Sequence, residues 1–133
     1  MKTVTASGTR KRAIARATIT DGKGAVRINK TLIDNYQPKM ARLKIREPLI
    51  LAGDVSDHVD VNLKIMGGGV ISQADAGRLA IAKALVEYTK DDKLKQRFLE
   101  YDRTLLVADV RQREPRKPNT GGNARAKIQK SYR

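Results

Sequence analysis

A single domain of mixed strands and helices, with a basic segment at each end, is the fold class this sequence predicts, and three observations predict it. Residues 58–65, HVDVNLKI, alternate Val59, Val61, Leu63 and Ile65 with His58, Asp60, Asn62 and Lys64, the period-two pattern of a half-buried strand. Residues 71–88 place Ile71, Ala74, Ile81, Leu85 and Tyr88 on helical spacing, with Leu79, Ala82 and Val86 beside them. The net charge of +14 is confined to the ends: residues 1–30 hold eight cations and one acid, residues 111–133 eight and one, and residues 31–110 twelve of each. Such segregation suits a neutral body with two basic arms, and an acidic polymer is their natural partner.

Taken in order, residues 4–20 are rich in Ala, Ile and Thr and predict a strand that carries Arg10, Lys11, Arg12 and Arg16. DGKG at 21–24 is turn chemistry, and Ala25, Val26, Arg27, Ile28 and Asn29 return as a short second strand, completing a hairpin. Residues 31–53 predict a helical turn at LIDNY and a helix around Pro48, stopped by Gly53. After the strand at 58–65 come Gly67, Gly68 and Gly69, then Ser72 and Asp75 in the S-x-x-D spacing of a capped helix. The many alanines of that helix, with Gly77 among them, predict close approach to a sheet. Residues 93–101 predict a shorter helix burying Leu94, Phe98 and either Leu99 or Tyr101, and Leu105, Leu106 and Val107 a brief buried strand. Beyond Asp109 the apolar pattern stops, and Pro115, Pro118, Gly121 and Gly122 interrupt any regular element. The expected division is a globular body over 1–110, large enough to bury about two-thirds of its unfolded surface, and an extended basic arm over 111–133.

Composition excludes several function classes. With no cysteine there is no disulfide framework, thiolate zinc site or thiol nucleophile. The N-terminal MKTVTASGTRKR lacks a signal-peptide core, and no stretch nears the ~18 apolar residues of a membrane span, so a cytosolic protein is expected. Neither arm shows an amphipathic helix with Trp, Phe and Leu on one face, which argues against a membrane partner. His58 is the single histidine and sits on the polar face of its strand, where an ordinary surface role is expected. Asp91, Asp92, Glu100 and Asp102 lie among cations as solvated pairs. No catalytic group, metal site or cofactor is expected.

Two motifs point to phosphate. Arg10, Arg12 and Arg16 recur at even spacing, so one strand would project them as a row of guanidinium forks suited to RNA; the alternative is an edge strand that uses charge against aggregation. The three glycines between strand and helix suit a tight connection, a seat for an RNA backbone, or a nucleoside-triphosphate loop. Against the last stands the absence of the G-x-x-x-x-G-K-[ST] spacing.

GTRKRAIARATI, IMGGGVISQADAGRLAIAKAL, DVRQREPRKP and ARAKIQKSYR occur in the order found in the universal family of small-subunit ribosomal protein nine, which the chain resembles over essentially its whole length. The ending QKSYR resembles the archaeal and eukaryotic branch. The resemblance implies an α+β domain whose four-stranded sheet is backed by helices with a left-handed β-α-β crossover, in the head of the small ribosomal subunit beside neighbouring head proteins. It implies contact with ribosomal RNA through the body and a C-terminal arm reaching the peptidyl-site tRNA. By position, the ribosomal RNA contacts are Arg10, Lys11, Arg12, Arg16, Gly67, Gly68, Gly69 and Gln73, with Arg111, Arg113, Arg116, Lys117, Arg125 and Lys127 along the arm. Lys130, Tyr132 and Arg133 are the tRNA-contacting candidates. Where many members have Thr-Arg-Asp before the arm, this chain has Val107, Ala108 and Asp109. At ~3.3 Å per residue an arm of that length reaches at most ~75 Å, enough to enter a crevice between RNA helices. Ribosomal RNA and tRNA are thus the expected partners, ahead of a small phosphotransferase built on the glycine loop or a nucleic-acid-binding module acting away from the ribosome.

Overall fold

The computed structural model describes residues 2–118. Five strands form one sheet: β1 (Thr3–Arg10), β2 (Ala13–Asp21), β3 (Val26–Ile28), β4 (Thr31–Leu32) and β5 (Val59–Met66), in the order β1-β2-β5-β3-β4. The segment expected to be one strand is therefore two, an antiparallel pair registered Arg10 to Ala13 and joined by Lys11 and Arg12. Lys11 takes the turn's left-handed backbone, φ 54°, without a glycine to announce it. The DGKG turn does not close a hairpin. β2 pairs antiparallel with β5, whereas β3 crosses to the far side of β5 and runs parallel to it. Eight residues of β5 offer β2 a full-length partner, which three residues of β3 cannot match. The crossing loop is held by the Asp60 carboxylate, which accepts from the amides of Lys23 at 3.0 Å and Ala25 at 3.1 Å. The sheet thus has five strands rather than the four implied by the resemblance. The extra one is the two-residue β4, followed by a 3-10 turn at Ile33–Asn35 within the stretch expected to be a helical turn.

Three helices cover one side of this sheet: α1 (Lys39–Ala52), α2 (Val70–Thr89) and α3 (Asp92–Tyr101). α2 lies across β1, β2 and β5, α1 packs on α2, and α3 touches both helices. The expected close approach is present. A Cβ on Gly8 of β1 would stand 2.5 Å from the Ala76 carbonyl oxygen, and one on Gly77 would stand 2.8 Å from a Leu63 methyl. Between them Ala74, Ala76, Ala80 and Ala84 are fully buried. Pro48 lies inside α1 and is buried, and that helix stops at Gly53 with φ 65°, as expected. The S-x-x-D cap is not used. The glycine turn starts α2 at Val70, so Ser72 and Asp75 fall within the helix, where Asp75 pairs with Lys44 at 3.0 Å. α3 is capped by Asp91, whose carboxylate accepts from the Lys93 amide at 2.9 Å. The brief strand expected at Leu105, Leu106 and Val107 is instead a 3-10 turn, Arg103–Leu105, with Leu105 fully buried and Leu106 packed partly buried against the core. Among the described residues the opposite face of the sheet carries no helix, and alternate residues along β1, β2 and β5 stand exposed there.

Candidate nucleic-acid interface

The β1–β2 turn, the glycine turn and the segment after Arg111 converge on a cleft of about 860 Å³. It is lined by Lys11, Arg12, Gly68, Gly69, Ser72, Gln112, Arg113, Glu114, Pro115 and Arg116. Backbone geometry brings the first two walls together. Gly67 and Gly68 have φ of 77° and 69°. A Cβ at Gly67 would lie 2.6 Å from the Arg12 carbonyl oxygen, and one at Gly68 would lie 2.9 Å from the Ala13 nitrogen. Only glycine permits both the left-handed backbone and this contact, so the glycine turn seats directly on the base of the arginine turn. Gln73 braces it by donating from Nε2 to the Gly67 carbonyl at 3.1 Å. Gly69 is the N-cap of α2 and has no side chain over the helix's first amides. The cleft therefore combines α2's positive end with two cations from the β1–β2 turn and two from the segment after Arg111.

The three arginines read as a row go to three different places. Arg12 lines the cleft. Arg16 lies on β2, exposed on the helix-free face. Arg10 lines neither, because the strand ends at that residue and its side chain turns into an ion network: Nη1 lies 3.2 Å from Asp109 and Nε 3.9 Å from Asp75. Its side chain is only 19% exposed, which makes it a structural tie in this conformation. Arg111 is likewise engaged: its Nη2 donates to Asp109 at 2.6 Å and its amide to the same carboxylate at 3.1 Å. Arg113 and Arg116 join the cleft, while Lys117 is exposed just beyond it. Arg125, Lys127, Lys130, Tyr132 and Arg133 lie outside the described residues.

Asp109 is not among the candidate residues that the sequence singles out, although its spacing to Arg111 is that of a carboxylate folding onto the amide two residues on. Hydrogen bonds from the Arg111 side chain and amide, helped by the Arg10 charge, hold its carboxyl well below the usual carboxylate range, and hold the Arg111 guanidinium up. A second hub lies nearby. Arg78, 11% exposed, reaches Glu47 at 2.6 Å and Asp102 at 3.1 Å, and donates to the Thr104 hydroxyl at 3.2 Å. Burial pushes the Asp102 carboxyl up, but the Thr104 amide and hydroxyl and the Arg78 guanidinium outweigh it and bring it below its ordinary value. His58 is exposed, and no three His, Asp or Glu side chains group as metal ligands among the described residues. No helix among them is long and apolar enough to cross a membrane.

Fold and cleft define a class: a small α+β scaffold that gathers a glycine turn's backbone, a helix start and four cations around one cleft. The family described as Ribosomal protein S9/S16 matches residues 8–133, and the chain belongs to that family. It is 50% identical to a small ribosomal subunit protein uS9 of Methanococcus maripaludis (strain C7) and 49% identical to one of Methanococcus vannielii, each alignment covering 100% of both chains. These relatives agree with the archaeal-type ending, and membership makes the chain a ribosomal protein rather than an enzyme, which sets the phosphotransferase alternative aside.

Proposed function

We propose that the protein is a structural constituent of the small ribosomal subunit of the cytoplasmic ribosome, lying in its head beside other head proteins. In this reading the cleft holds ribosomal RNA, and residues 111–133 form an arm that carries Lys130, Tyr132 and Arg133 to the peptidyl-site tRNA. The parallel β3-α1-β5 unit takes the left-handed crossover that the resemblance implies. The observation that carries the reading is the convergence of Lys11 and Arg12 with Arg113 and Arg116 around a glycine turn in which Gly67 and Gly68 admit no side chain. A phosphate entering this cleft would meet backbone amides at the start of α2 and forked donors from both sides, and would displace counterions as it did so. Asp109 supports the site from behind by tying the segment after Arg111 to β1, which keeps Arg113 and Arg116 over the glycine turn.

The test is binding of the full chain to protein-free small-subunit ribosomal RNA across a salt series, together with tRNA binding by reconstituted subunits. Lys11→Gln with Arg12→Gln is expected to lower the salt slope by about 1.4–1.8, near 0.7–0.9 per phosphate contact removed. Removing residues 128–133 is expected to weaken peptidyl-site tRNA binding while leaving ribosomal RNA affinity largely intact. Unaltered RNA binding in the first variant would sink the cleft assignment, and unaltered tRNA binding in the second would sink the arm's role.

A further inference from the structure

The helix-free face of the sheet carries a charge arrangement that the cleft does not explain. Register places Arg16 of β2 directly opposite Lys64 of β5, both exposed, with Ser7 of β1 on the other side of Arg16. Strands lie ~4.8 Å apart, so two like charges are rooted side by side, a pairing that ordinarily destabilises a sheet. Arg27 of β3 stands one row further on, beside Asn62. Among the described residues none of these three cations has a hydrogen bond or ion pair. The acid that shares the face, Asp60, is four residues along β5 from Lys64, ~13 Å away, and its carboxylate is occupied by the Lys23 and Ala25 amides.

Protection of a sheet edge does not account for them. β2 and β5 are interior strands, with β1 outside one and β3 and β4 outside the other, so the charges guard no unpaired backbone. Nor does the face suit base stacking, since no aromatic residue lies on these strands. Around the cations it offers small donors, the hydroxyls of Ser7 and Thr18 and the amide of Asn62, groups that suit phosphate and sugar oxygens.

We propose that this open face is a second RNA-backbone surface, separate from the cleft, on which Arg16, Lys64 and Arg27 take phosphates of a structured RNA. An anion seated between Arg16 and Lys64 turns their repulsion into shared attraction, so the arrangement costs stability in the free protein and is relieved in the complex. The inference rests on the ribosomal RNA reading of the preceding section and adds to it a site and a mode of contact.

The experiment is filter binding of full-length protein to protein-free small-subunit ribosomal RNA over a salt series, with three variants. The open-face variant is Arg16→Gln, Arg27→Gln and Lys64→Gln; the cleft variant is Lys11→Gln and Arg12→Gln. The control, Lys39→Gln, Lys93→Gln and Lys95→Gln, neutralises three exposed cations elsewhere. The open-face variant is expected to lose about tenfold or more in affinity near 0.1 M salt and to lower the slope by about two to three, with the control close to unaltered protein. Its melting temperature is expected to match or exceed that of unaltered protein, because a like-charge pair has been removed. If open-face and control variants bind alike while the cleft variant weakens, the second surface is wrong and the RNA reading stands. Equal weakening in open-face and control variants would reduce the effect to general charge and overturn the proposal. If unaltered protein shows no salt-dependent binding, both readings fall, and a lower melting temperature in the open-face variant would assign these residues a structural role instead.

Discussion

Gly68→Ala tests the junction on which the cleft is built. The residue has φ 69°, and a Cβ there would stand 2.9 Å from the Ala13 nitrogen and 3.0 Å from its Cβ. The left-handed backbone costs an alanine ~1–2 kcal/mol. Forcing the new methyl against β2's first residue adds ~1–3 kcal/mol, and the lower entropy of the unfolded alanine chain returns ~0.4–1 kcal/mol. The expected net loss is about 1–4.6 kcal/mol, and the glycine turn must lift from the Arg12 backbone, opening the cleft at its base. The measurement is urea unfolding followed by circular dichroism, beside Gly69→Ser. At Gly69 an added Cβ meets nothing within 4 Å, and the residue is an N-cap, a position serine favours. Gly69→Ser is therefore expected within ~0.5 kcal/mol of unaltered protein. If Gly68→Ala proves equally mild, backbone seating does not hold the turn, and the account of the cleft's geometry fails.

Arg78→Ala strips the partner from Glu47 and Asp102 and should cost about 1–3 kcal/mol in denaturant unfolding, less than a fully buried pair because both carboxylates are partly exposed. Phe98→Ala empties a fully buried site between α3 and the core and should cost about 3–5 kcal/mol, read as a drop in melting temperature. Asp109 has a depressed folded value, so its contribution is fully present above the ordinary carboxylate pKa near ~3.9. It is lost only as pH falls through the lower folded value. Carbon-detected NMR titration should find its carboxyl still ionised where exposed aspartates are half protonated, and an ordinary midpoint would break the proposed tie to Arg111. Arg10→Met should loosen residues 109–116, raising their amide exchange without unfolding the sheet, and unchanged exchange would show that Asp109 is held by Arg111 alone.

β5, α2 and α3 were legible because each carries its own period: strict alternation in 58–65, alanine-rich helical spacing in 71–88, and Leu94 with Phe98 four residues on. The tight turn between β1 and β2 was not, since Lys11 and Arg12 are poor turn signals and the strands on either side share one composition. β3's choice of β5 over β2 depends on which long partner is free across the sheet, which local pattern does not encode. In the cleft, Lys11, Arg12 and the glycines were readable as motifs, and so were Arg113 and Arg116. The diversion of Arg10 was hidden, because its acceptors Asp75 and Asp109 are far from it in sequence and become neighbours only through the fold. The interior place of β2, which removes the edge-strand explanation for Arg16, was hidden for the same reason.

The alternating ion series Lys44, Asp75, Arg10, Asp109 and Arg111 runs from α1 through α2 and β1 to Arg111. Mechanically it is a mooring line. A pull on the chain beyond residue 118 reaches Asp109 before it reaches Leu105, and Asp109 passes the load to a strand and two helices at once. Leu105, fully buried, is thereby shielded: tension on the chain after Arg111 falls first on ion pairs that can part and re-form before the core is disturbed.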